Sequence, residues 1–340
     1  MPMLSIPLKE VQGSLKEFRE KQLIDDAFEF KRTKTHLIIA LKKRIKTPFK
    51  WVKAKLKKRV VKPKNLKEAL QNVLTKKQQE ELVSSYNVYG SIAVIEIPKS
   101  LEKKQKIIAK SLLLSNSNIQ TVLKIAGEHG GLFRIQQKKF VLGKRNFIAH
   151  YKENGCVFEF DVRKVFFSPT YASERMRVAK LILPDEIVGA FFAGVGPFPI
   201  VFAKNSLMKK AIAIELNPDA VKYLKKNIKL NKVEGKVEVI KGDVSKVVRK
   251  NNFAGFFDRI VMPLPRNASD FLDSAFFSIK RNGFVHFYEF VPKTSGFEKT
   301  IELIQKKARE NNKSIEIIYQ RIVKEISASN MLVGIDFKVK

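Results

Sequence analysis

The C-terminal half of the chain predicts an α/β fold with a doubly wound parallel sheet. From Phe166 onward, short apolar runs of strand length alternate with segments of helical periodicity, which is the pattern of a parallel sheet with helices on both faces. The first of these strands, residues 187–192, also runs directly into a glycine turn that is followed by a helix. Because 340 residues exceed the length of most single domains, we expect further units before this one.

Composition divides the chain into three predicted domains. Residues 1–64 form a small basic domain, residues 65–165 an α+β domain, and residues 166–340 the α/β domain. The stretch 60–64 predicts a linker, and an amphipathic helix over 66–82 opens the second domain. The other elements expected there are a helix over 101–114 and strands near 91–97, 120–125, 132–148 and 156–167.

The charge balance predicts a polyanionic partner. The chain has 66 Lys and Arg against 33 Asp and Glu, which is a formal net charge of +33. Nucleic acid is favoured over a membrane, because no apolar run approaches the roughly 18 residues that a bilayer span needs. No apolar stretch follows a basic start at the N-terminus, so we expect no secretory signal and a cytoplasmic location.

Cysteine and histidine are too few to predict a metal site. Cys156 is the single cysteine, so no disulfide forms within the chain, and we expect this residue in the core. The four histidines are scattered along the sequence. The sequence therefore predicts chemistry without a bound metal.

The most basic segment, residues 31–64, is a candidate RNA contact. It holds fifteen Lys and Arg and no acid, with a strand-like apolar run at 36–41. Such like charges repel one another unless an anion lies opposite. Phe49 and Trp51 could stack on bases, although packing beneath the basic surface is favoured. The residues expected to contact RNA are Lys42, Lys43, Arg44, Lys50, Trp51 and Lys53.

Four successive strands of the α/β domain each end in a plausible ligand contact. The first leads into the glycine turn, where the backbone can approach a ligand closely. The second ends at Glu215, nineteen residues after Gly196, where a carboxylate can accept both hydroxyls of a ribose. The third ends at Asp243, an acid suited to an adenine amino group, and the fourth stops at a rigid Pro263-Leu264-Pro265 turn.

This edge predicts methyl transfer from S-adenosylmethionine. A nicotinamide dehydrogenase would share the glycine turn and the acid, but Pro199 stands where its third glycine is expected. A proline-flanked turn after the fourth strand is what RNA and DNA amino-methyltransferases place against the target base. The predicted cofactor contacts are Phe192, Ala193, Gly194, Val195, Gly196, Glu215, Leu216, Asp243, Val244 and Pro263.

Residues 153–273 resemble the archaeal and eukaryotic tRNA (guanine-37-N1)-methyltransferases. The motifs that carry the resemblance occur in order, and they are KENGCVFEFDVRKVFFSP, ERMRVAK, FAGVGPF, AIELNPDAVKYLKKNIKLNKV, FDRIVMPLP and FLDSAF. The resemblance implies a class I (Rossmann-like) methyltransferase domain preceded by a middle domain and a tRNA-binding N-terminal domain. The first 65 residues match the family only in size and position.

The resemblance also implies roles for individual residues. A glutamate of the family acts as general base on N1 of guanine, and an arginine steadies the charge that develops on O6; the matching positions are Glu174 and Arg134. Without the family, Glu174 and Arg175 would simply begin an exposed helix, and Arg134 would be a surface arginine after a glycine turn. We expect Arg175 near the cofactor, and the base between Phe166 and the turn formed by Pro263, Leu264 and Pro265.

Departures from the family pattern bear on base selection. Pro263 replaces the usual asparagine after the fourth strand, Phe166 stands where many members have tyrosine, and Thr170 replaces an arginine. Ala190 also replaces the common aspartate of the first cofactor strand. The first two changes resemble an archaeal branch that also methylates C7 of the tricyclic wyosine precursor.

Two rival functions stay open at this stage. One is the related wyosine-pathway enzyme, which has the same fold and cofactor but transfers the aminocarboxypropyl group. The other is a non-catalytic RNA-binding protein that keeps the fold as a scaffold, a reading for which Ala190 is the best support. The main expectation is a tRNA methyltransferase that acts as a monomer.

Overall fold

The computed structural model describes all residues of the chain except 59–62, 64, 131–134 and 265, and it describes only the backbone of 128–130. Two compact units form, Met1–Ala69 and Leu70–Lys340. Most of the predicted linker at 60–64 lies outside the described residues. The division of the chain into three domains stays a prediction.

The first unit contains a small antiparallel sheet with the helix α1 packed against it. Its strand order is β2-β3-β1-β4, and the strand predicted at 36–41 is confirmed as β3. Leu4 and Ile6 of β1 are fully buried and pack with Phe18 of the helix, because alternate residues of a strand share one face. The elements are β1 (Met3–Pro7), α1 (Val11–Glu20), β2 (Lys31–Arg32), β3 (His36–Ala40) and β4 (Lys50–Trp51).

The helix predicted over 66–82 is wrong in extent. Two short helices form instead, α2 (Leu66–Leu70) and α3 (Lys76–Glu81). Thr75 starts the second one through a capping box, in which its side chain accepts from the Gln78 N–H and the Gln78 side chain accepts from the Thr75 N–H. This local cap ends the continuity that the apolar spacing predicted.

A four-stranded sheet with the order β5-β6-β7-β8 follows in the second unit. The buried strand expected at 91–97 is confirmed as β6, and the helix expected at 101–114 is confirmed as α4. The elements are β5 (Tyr86–Tyr89), β6 (Ile92–Ile95), α4 (Gln105–Ser115), β7 (Thr121–Gly130) and β8 (Ile135–Gly143). The hairpin β9 (Ile148–Glu153) and β10 (Cys156–Asp161) comes next.

The predicted α/β fold is confirmed by a seven-stranded sheet with the order β13-β12-β11-β14-β15-β17-β16. Its strands are β11 (Ile187–Phe191), β12 (Lys210–Glu215), β13 (Val237–Lys241), β14 (Phe257–Met262), β15 (Ile279–Pro292), β16 (Ile315–Glu325) and β17 (Asn330–Val339). Its helices are α5 (Ala172–Ala179), α6 (Pro197–Asn205), α7 (Pro218–Asn231), α8 (Val244–Lys250), α9 (Leu272–Ser278) and α10 (Glu298–Glu310).

Burial explains why the first strands of this sheet are continuously apolar. Strands β11, β12, β13 and β14 pair in parallel, and a parallel sheet is covered on both faces. Val188 and Ala190 of β11 belong to one hydrophobic cluster, whereas Phe191 belongs to the cluster on the opposite face. Cys156 is buried in the first cluster, as expected.

The last third of the sheet is antiparallel and was not predicted. β17 pairs in antiparallel fashion with both β15 and β16. These strands bring C-terminal side chains to the candidate site described below. No helix in the described part of the chain is long and apolar enough to cross a bilayer.

Candidate active site

The carboxyl ends of β11, β12 and β13 are joined by hydrogen bonds at one edge of the sheet. The Gly194 N–H, in the loop after β11, donates to Glu215 Oε2 at 2.7 Å. The Gly242 N–H, directly before Asp243, donates to the Glu215 backbone carbonyl at 2.9 Å. The three strand ends that the sequence singled out are therefore brought together.

The loop after β11 needs glycine for two different reasons. Gly194 and Gly196 both have left-handed φ values, +56° and +92°. A Cβ on Gly196 would also lie 2.3 Å from Leu224 Cδ1, so a larger residue would disturb the packing of α7 against the loop. Phe192 adopts a φ of 54° without being glycine, a strained conformation typical of functional loops.

Glu215 is a preorganised carboxylate between the loop and α7. Its Oε1 accepts from the Asn217 N–H at 2.7 Å, while Oε2 accepts from the Gly194 N–H. Burial raises the pKa of Glu215, and the backbone hydrogen bonds oppose that rise. Leu216 follows it directly and is partly exposed.

Asp243 caps the first turn of α8. Its Oδ1 accepts from the Ser245 N–H at 2.9 Å and from the Lys246 N–H at 3.4 Å. Within the described residues, Oδ2 makes no hydrogen bond, so one carboxylate oxygen is left for a ligand. Val244 follows in the helix and is buried.

The loop after β14 lies at the same edge of the sheet. Pro263 and Leu264 are partly buried, and Leu264 packs against the hydrophobic cluster that includes Phe191. Pro265, the third residue of the predicted base turn, lies outside the described residues.

Phe166 is brought next to the glycine loop. Its backbone oxygen lies 3.8 Å from the position that a Cβ on Gly194 would take. Phe166 is 49% exposed and lines a cavity. Ala193 and Val195, the other predicted contacts in the loop, are buried.

Glu174 lies in a buried ionic group that we call the Glu174 group, made of Glu174, Arg177, Tyr288, Arg321 and Asp336. Glu174 itself is fully buried, and its Oε2 accepts from Arg177 Nε at 3.0 Å and from the Tyr288 hydroxyl at 3.0 Å. Its Oε1 lies 3.0 Å from Arg321 Nη1 but has no aligned hydrogen bond among the described residues. Oε1 is thus the oxygen with unused accepting capacity.

Asp336 holds the other side of Arg177. Arg177 Nη1 donates to Asp336 Oδ2 at 2.6 Å, and Nη2 donates to Oδ1 at 3.1 Å. Burial works to raise the pKa of Asp336, but the neighbouring His286 and Arg177 together lower it to about 2.

A buried chain of polar contacts continues from Asp336 across the sheet. His286 Nδ1 lies 2.7 Å from Asp336 Oδ1, and Arg259 donates to His286 Nε2 at 2.9 Å. Arg259 in turn pairs with Glu186 through two hydrogen bonds of 2.7 and 2.9 Å. Burial lowers the pKa of His286, which keeps its ring neutral.

The strand ends at Gly194, Glu215 and Asp243 form what we call the cofactor edge. The Glu174 group lies next to it. The Tyr288 ring is 6.1 Å from the ring of Phe198, which belongs to the first turn of α6 directly after the glycine loop. The Tyr171 ring contacts both of these rings. Glu174 is therefore linked to the start of α6 through the rings of Tyr288 and Phe198.

Arg175 is not the exposed helix residue that its position in the sequence suggested. It is 1% exposed, and its guanidinium donates two hydrogen bonds to Glu153 and one to the Ser168 carbonyl. In this arrangement Arg175 supports the wall of the site, and contact with a cofactor would require these bonds to be exchanged. Arg134, the expected partner of Glu174, lies outside the described residues.

The predicted RNA contacts of the first unit lie on its surface. The Arg44 guanidinium stacks over the Trp51 ring at 5.6 Å, and Trp51 also packs on the core of that unit together with Phe49. This confirms the expected packing role of both aromatic residues. The charged members of the set are exposed, and they are Lys42, Lys43, Arg44, Lys50 and Lys53.

The sequence missed most of the Glu174 group. Tyr288, Arg321 and Asp336 come from three C-terminal strands and carry no local motif. Arg177 lies one turn after Glu174, a spacing typical of an ordinary helical ion pair. Among the described residues, no cluster of three or more His, Cys, Asp or Glu could hold a metal ion.

Comparison with known proteins identifies the family. Residues 149–318 match the TRM5/TYW2 methyltransferase domain, and residues 66–146 match the TYW2 N-terminal domain. The chain belongs to the TRM5/TYW2 methyltransferase family. The tRNA (guanine(37)-N(1))-methyltransferase Trm5b of Pyrococcus abyssi is 32% identical over 336 residues, which are 99% of this chain and 98% of that relative.

A second family member matches less of the chain. The tRNA(Phe) (4-demethylwyosine(37)-C(7)) aminocarboxypropyltransferase of Methanocaldococcus jannaschii is 29% identical over 253 residues. That match covers 74% of this chain but 97% of the relative.

Solved structures of the family have the same fold over the whole chain. The crystal structure of Trm5b from Pyrococcus abyssi gives a TM-score of 0.74 at 32% identity and covers 100% of both chains. A structure of aTrm5 in complex with tRNALeu gives a TM-score of 0.85 at 29% identity, again with 100% of both chains covered.

Proposed function

We propose that this protein is an S-adenosylmethionine-dependent tRNA methyltransferase that methylates N1 of guanosine 37. The observation that carries the proposal is the match to Trm5b over 99% of the chain, because it includes the basic first unit. The aminocarboxypropyltransferase relative is matched over nearly its full length and still leaves a quarter of this chain uncovered. The extra part favours Trm5b-like activity.

The residues at the cofactor edge have the chemistry that S-adenosylmethionine requires. The partly buried Glu215 carboxylate suits ribose hydroxyls, and Asp243 Oδ2, which makes no hydrogen bond within the described residues, suits an adenine amino group. The left-handed Gly194 leaves its backbone open to close approach. When bound there, the cofactor supplies an electrophilic methyl group.

The Glu174 group supplies the proton acceptor in this proposal. N1 of guanine must lose its proton as it attacks, and Glu174 Oε1 is the carboxylate oxygen that has no aligned hydrogen bond among the described residues. Arg177 and Tyr288 fix the other oxygen and so orient the carboxylate. Arg321 is partly exposed, so an entering base can displace it and reach Oε1. We keep Arg134 as the proposed donor to O6.

The basic surface of the first unit is proposed to hold the tRNA body. Its exposed lysines and Arg44 are expected to contact phosphates, which fix a protein on RNA without reading sequence. Trp51 is proposed to support Arg44 rather than to stack on a base, because its ring already carries the guanidinium.

Nucleoside mass spectrometry of tRNA incubated with the protein and labelled cofactor tests the proposal. Unmodified tRNA with guanosine 37 should gain one labelled methyl group at N1, and the same tRNA with adenosine at that position should gain none. A gain of an aminocarboxypropyl group would establish the rival enzyme. Binding of tRNA without any detectable cofactor binding in calorimetry would establish a non-catalytic RNA-binding protein.

A second activity, methylation of C7 of the wyosine precursor, is favoured by the loop after β14. Pro263 offers no side-chain hydrogen bond to a target base, and attack by a ring carbon needs no deprotonation of N1. The tRNA 4-demethylwyosine(37)-methyltransferase Taw21 of Saccharolobus solfataricus is 29% identical over 76% of this chain. Incubation with tRNA carrying the precursor should yield a methylated tricycle; an unchanged tricycle would remove this second activity.

A further inference from the structure

A cavity of about 200 Å³ lies between the β5–β8 sheet and β16, beside the candidate active site. Its walls come from the four strands β5–β8, from β10 and the segment 162–170 that follows it, and from Lys324 of β16. Phe166 belongs to this wall, and its backbone also approaches the glycine loop. Phe166 therefore lies between the cavity and the position proposed for the target base.

The charged residues that line the cavity are all cationic. Two lysines, Lys138 and Lys324, are among its lining residues, and none of the described lining residues is an acid. The uncharged polar residues that line it are Asn87, Tyr89, Gln136, Ser168 and Thr170. We call this the lysine cavity.

Lys138 is a cation without a matched acid. Its Nζ donates to the Gln136 carbonyl at 3.1 Å, and it forms no ion pair within the described residues. Asp161, the acid whose charge acts on the pKa of Lys138, is already held by Arg163 through hydrogen bonds of 2.8 and 3.1 Å. Burial lowers the pKa of Lys138 to about 8, which is the mark of an ammonium group that lacks compensation.

Lys324 of β16 is the second lysine that lines the cavity. It is exposed, and its Nζ lies 3.5 Å from Thr170 Oγ1 at the rim. No ion pair involves it in the part of the chain that the structure describes. Two lysines that line one cavity, with no acid among its described lining residues, favour an anion, which would form charge-assisted hydrogen bonds with both.

We propose that the lysine cavity binds one backbone phosphate of the RNA next to the target nucleotide. Lys138 and Lys324 donate to its non-bridging oxygens, and Thr170 supplies a hydroxyl at the rim. The cavity volume far exceeds the roughly 30 Å³ that one water occupies, so a phosphodiester has room. The inference rests on the proposed function, because it takes RNA as the substrate.

The test uses tRNA assembled by ligation with a single neutral methylphosphonate linkage. The linkage is placed in turn at each position within two nucleotides of guanosine 37, and binding is measured without cofactor. For the wild-type protein, one position should weaken binding by about tenfold, as loss of a charge-assisted contact would. At that position the slope of log affinity against log salt concentration should become shallower by about 0.7.

The variant Lys138→Met/Lys324→Met removes the protein's side of the same contact, so the tRNA change and the protein change can be compared singly and together. It should bind unmodified tRNA about tenfold more weakly and show no further loss with the neutral linkage. Lys138→Arg/Lys324→Arg keeps both charges and should restore the sensitivity. Lys139→Met, which removes an exposed neighbour on β8, should behave as wild type. If the double methionine variant does not fold, Lys324→Met alone should show a partial loss of sensitivity.

Three results would overturn the inference. The neutral linkage and the lysine substitutions could act additively at every position. The double variant could weaken S-adenosylmethionine binding instead, which would assign the cavity to the cofactor. Inorganic phosphate could protect Lys138 from acetylation while tRNA does not, which would make this a free-anion site. Methyl transfer is measured in parallel: wild-type transfer without a linkage effect refutes only the cavity, whereas linkage-specific binding without transfer refutes only the proposed function.

Discussion

The cofactor edge and the Glu174 group are neighbours, but they are built in opposite ways. The cofactor edge depends on backbone N–H groups at strand ends, and its members fall within about 50 residues of one another, from Gly194 to Asp243. The Glu174 group depends on side chains from residues as distant as Glu174 and Asp336. A site made of strand ends can be predicted from the order of strands in the sequence. A site made of side chains that are far apart in the sequence can be seen only in the folded structure.

Loss of the carboxylate in the Glu174 group should have the largest effect. Glu174→Gln keeps the shape but removes the proton acceptor, so single-turnover methyl transfer should fall by about 10²- to 10⁴-fold with tRNA affinity unchanged. Arg177 still has Asp336, so the fold should persist. Glu302→Gln, an exposed change on α10, is the control. A rate within a factor of about three of wild type would remove Glu174 as the base.

Removing the Asp336 carboxylate from the Glu174 group should lower the free energy of unfolding more than it lowers the rate of methyl transfer. Asp336→Asn leaves Arg177 and His286 without their buried carboxylate, which should cost about 3–5 kcal/mol of unfolding free energy in a denaturant titration. The exposed change Asp270→Asn should cost little. Equal costs for the two variants would show that the ionic group contributes nothing to stability.

A substitution at the cofactor edge should weaken the binding of S-adenosylmethionine. Glu215→Gln removes the charge that is proposed to accept ribose hydroxyls, so the dissociation constant for S-adenosylmethionine in calorimetry should rise by about 10- to 100-fold. Glu234→Gln, on the exposed loop after α7, should leave the affinity as it is. An unchanged affinity in Glu215→Gln would place the ribose elsewhere.

The smallest expected effect is a pH dependence from His286. Because burial lowers its pKa, the unfolded state takes up a proton near pH 6.5 that the folded state refuses. Unfolding free energy should therefore fall below pH 6.5, by at most about 1.4 kcal/mol per pH unit. His286→Gln should flatten this part of the profile relative to wild type. Parallel profiles for the two proteins would contradict a neutral buried histidine.

The same contrast explains what the sequence could predict. β11, β12, β13 and β14, together with the acids that follow two of them, are read from short patterns, because strand, turn and cap are local. The break between α2 and α3 was missed, since the apolar spacing continued through the Thr75 cap. The C-terminal antiparallel strands were missed too, because their pairing joins residues far apart in the chain.

Burial was the other quantity that sequence patterns could not supply. Glu174 and Arg175 occupy a helix start whose charge pattern suggests solvent exposure, yet both are buried. Glu153 pairs with Arg175 and Tyr288 donates to Glu174, and both partners reach these residues only through tertiary contacts. Charged residues enter a core when they find partners there, and partners on other elements leave no trace in a local pattern.

The central claim is that the cofactor edge and the Glu174 group act on the same base. A crystal structure with tRNA and S-adenosylhomocysteine tests it most directly. We expect N1 of guanosine 37 within hydrogen-bond reach, about 3 Å, of Glu174 Oε1, with Arg321 displaced and the adenosine between Glu215 and Asp243. A base bound while Glu174 keeps its contact with Arg321 and stays out of reach of N1 would contradict the claim.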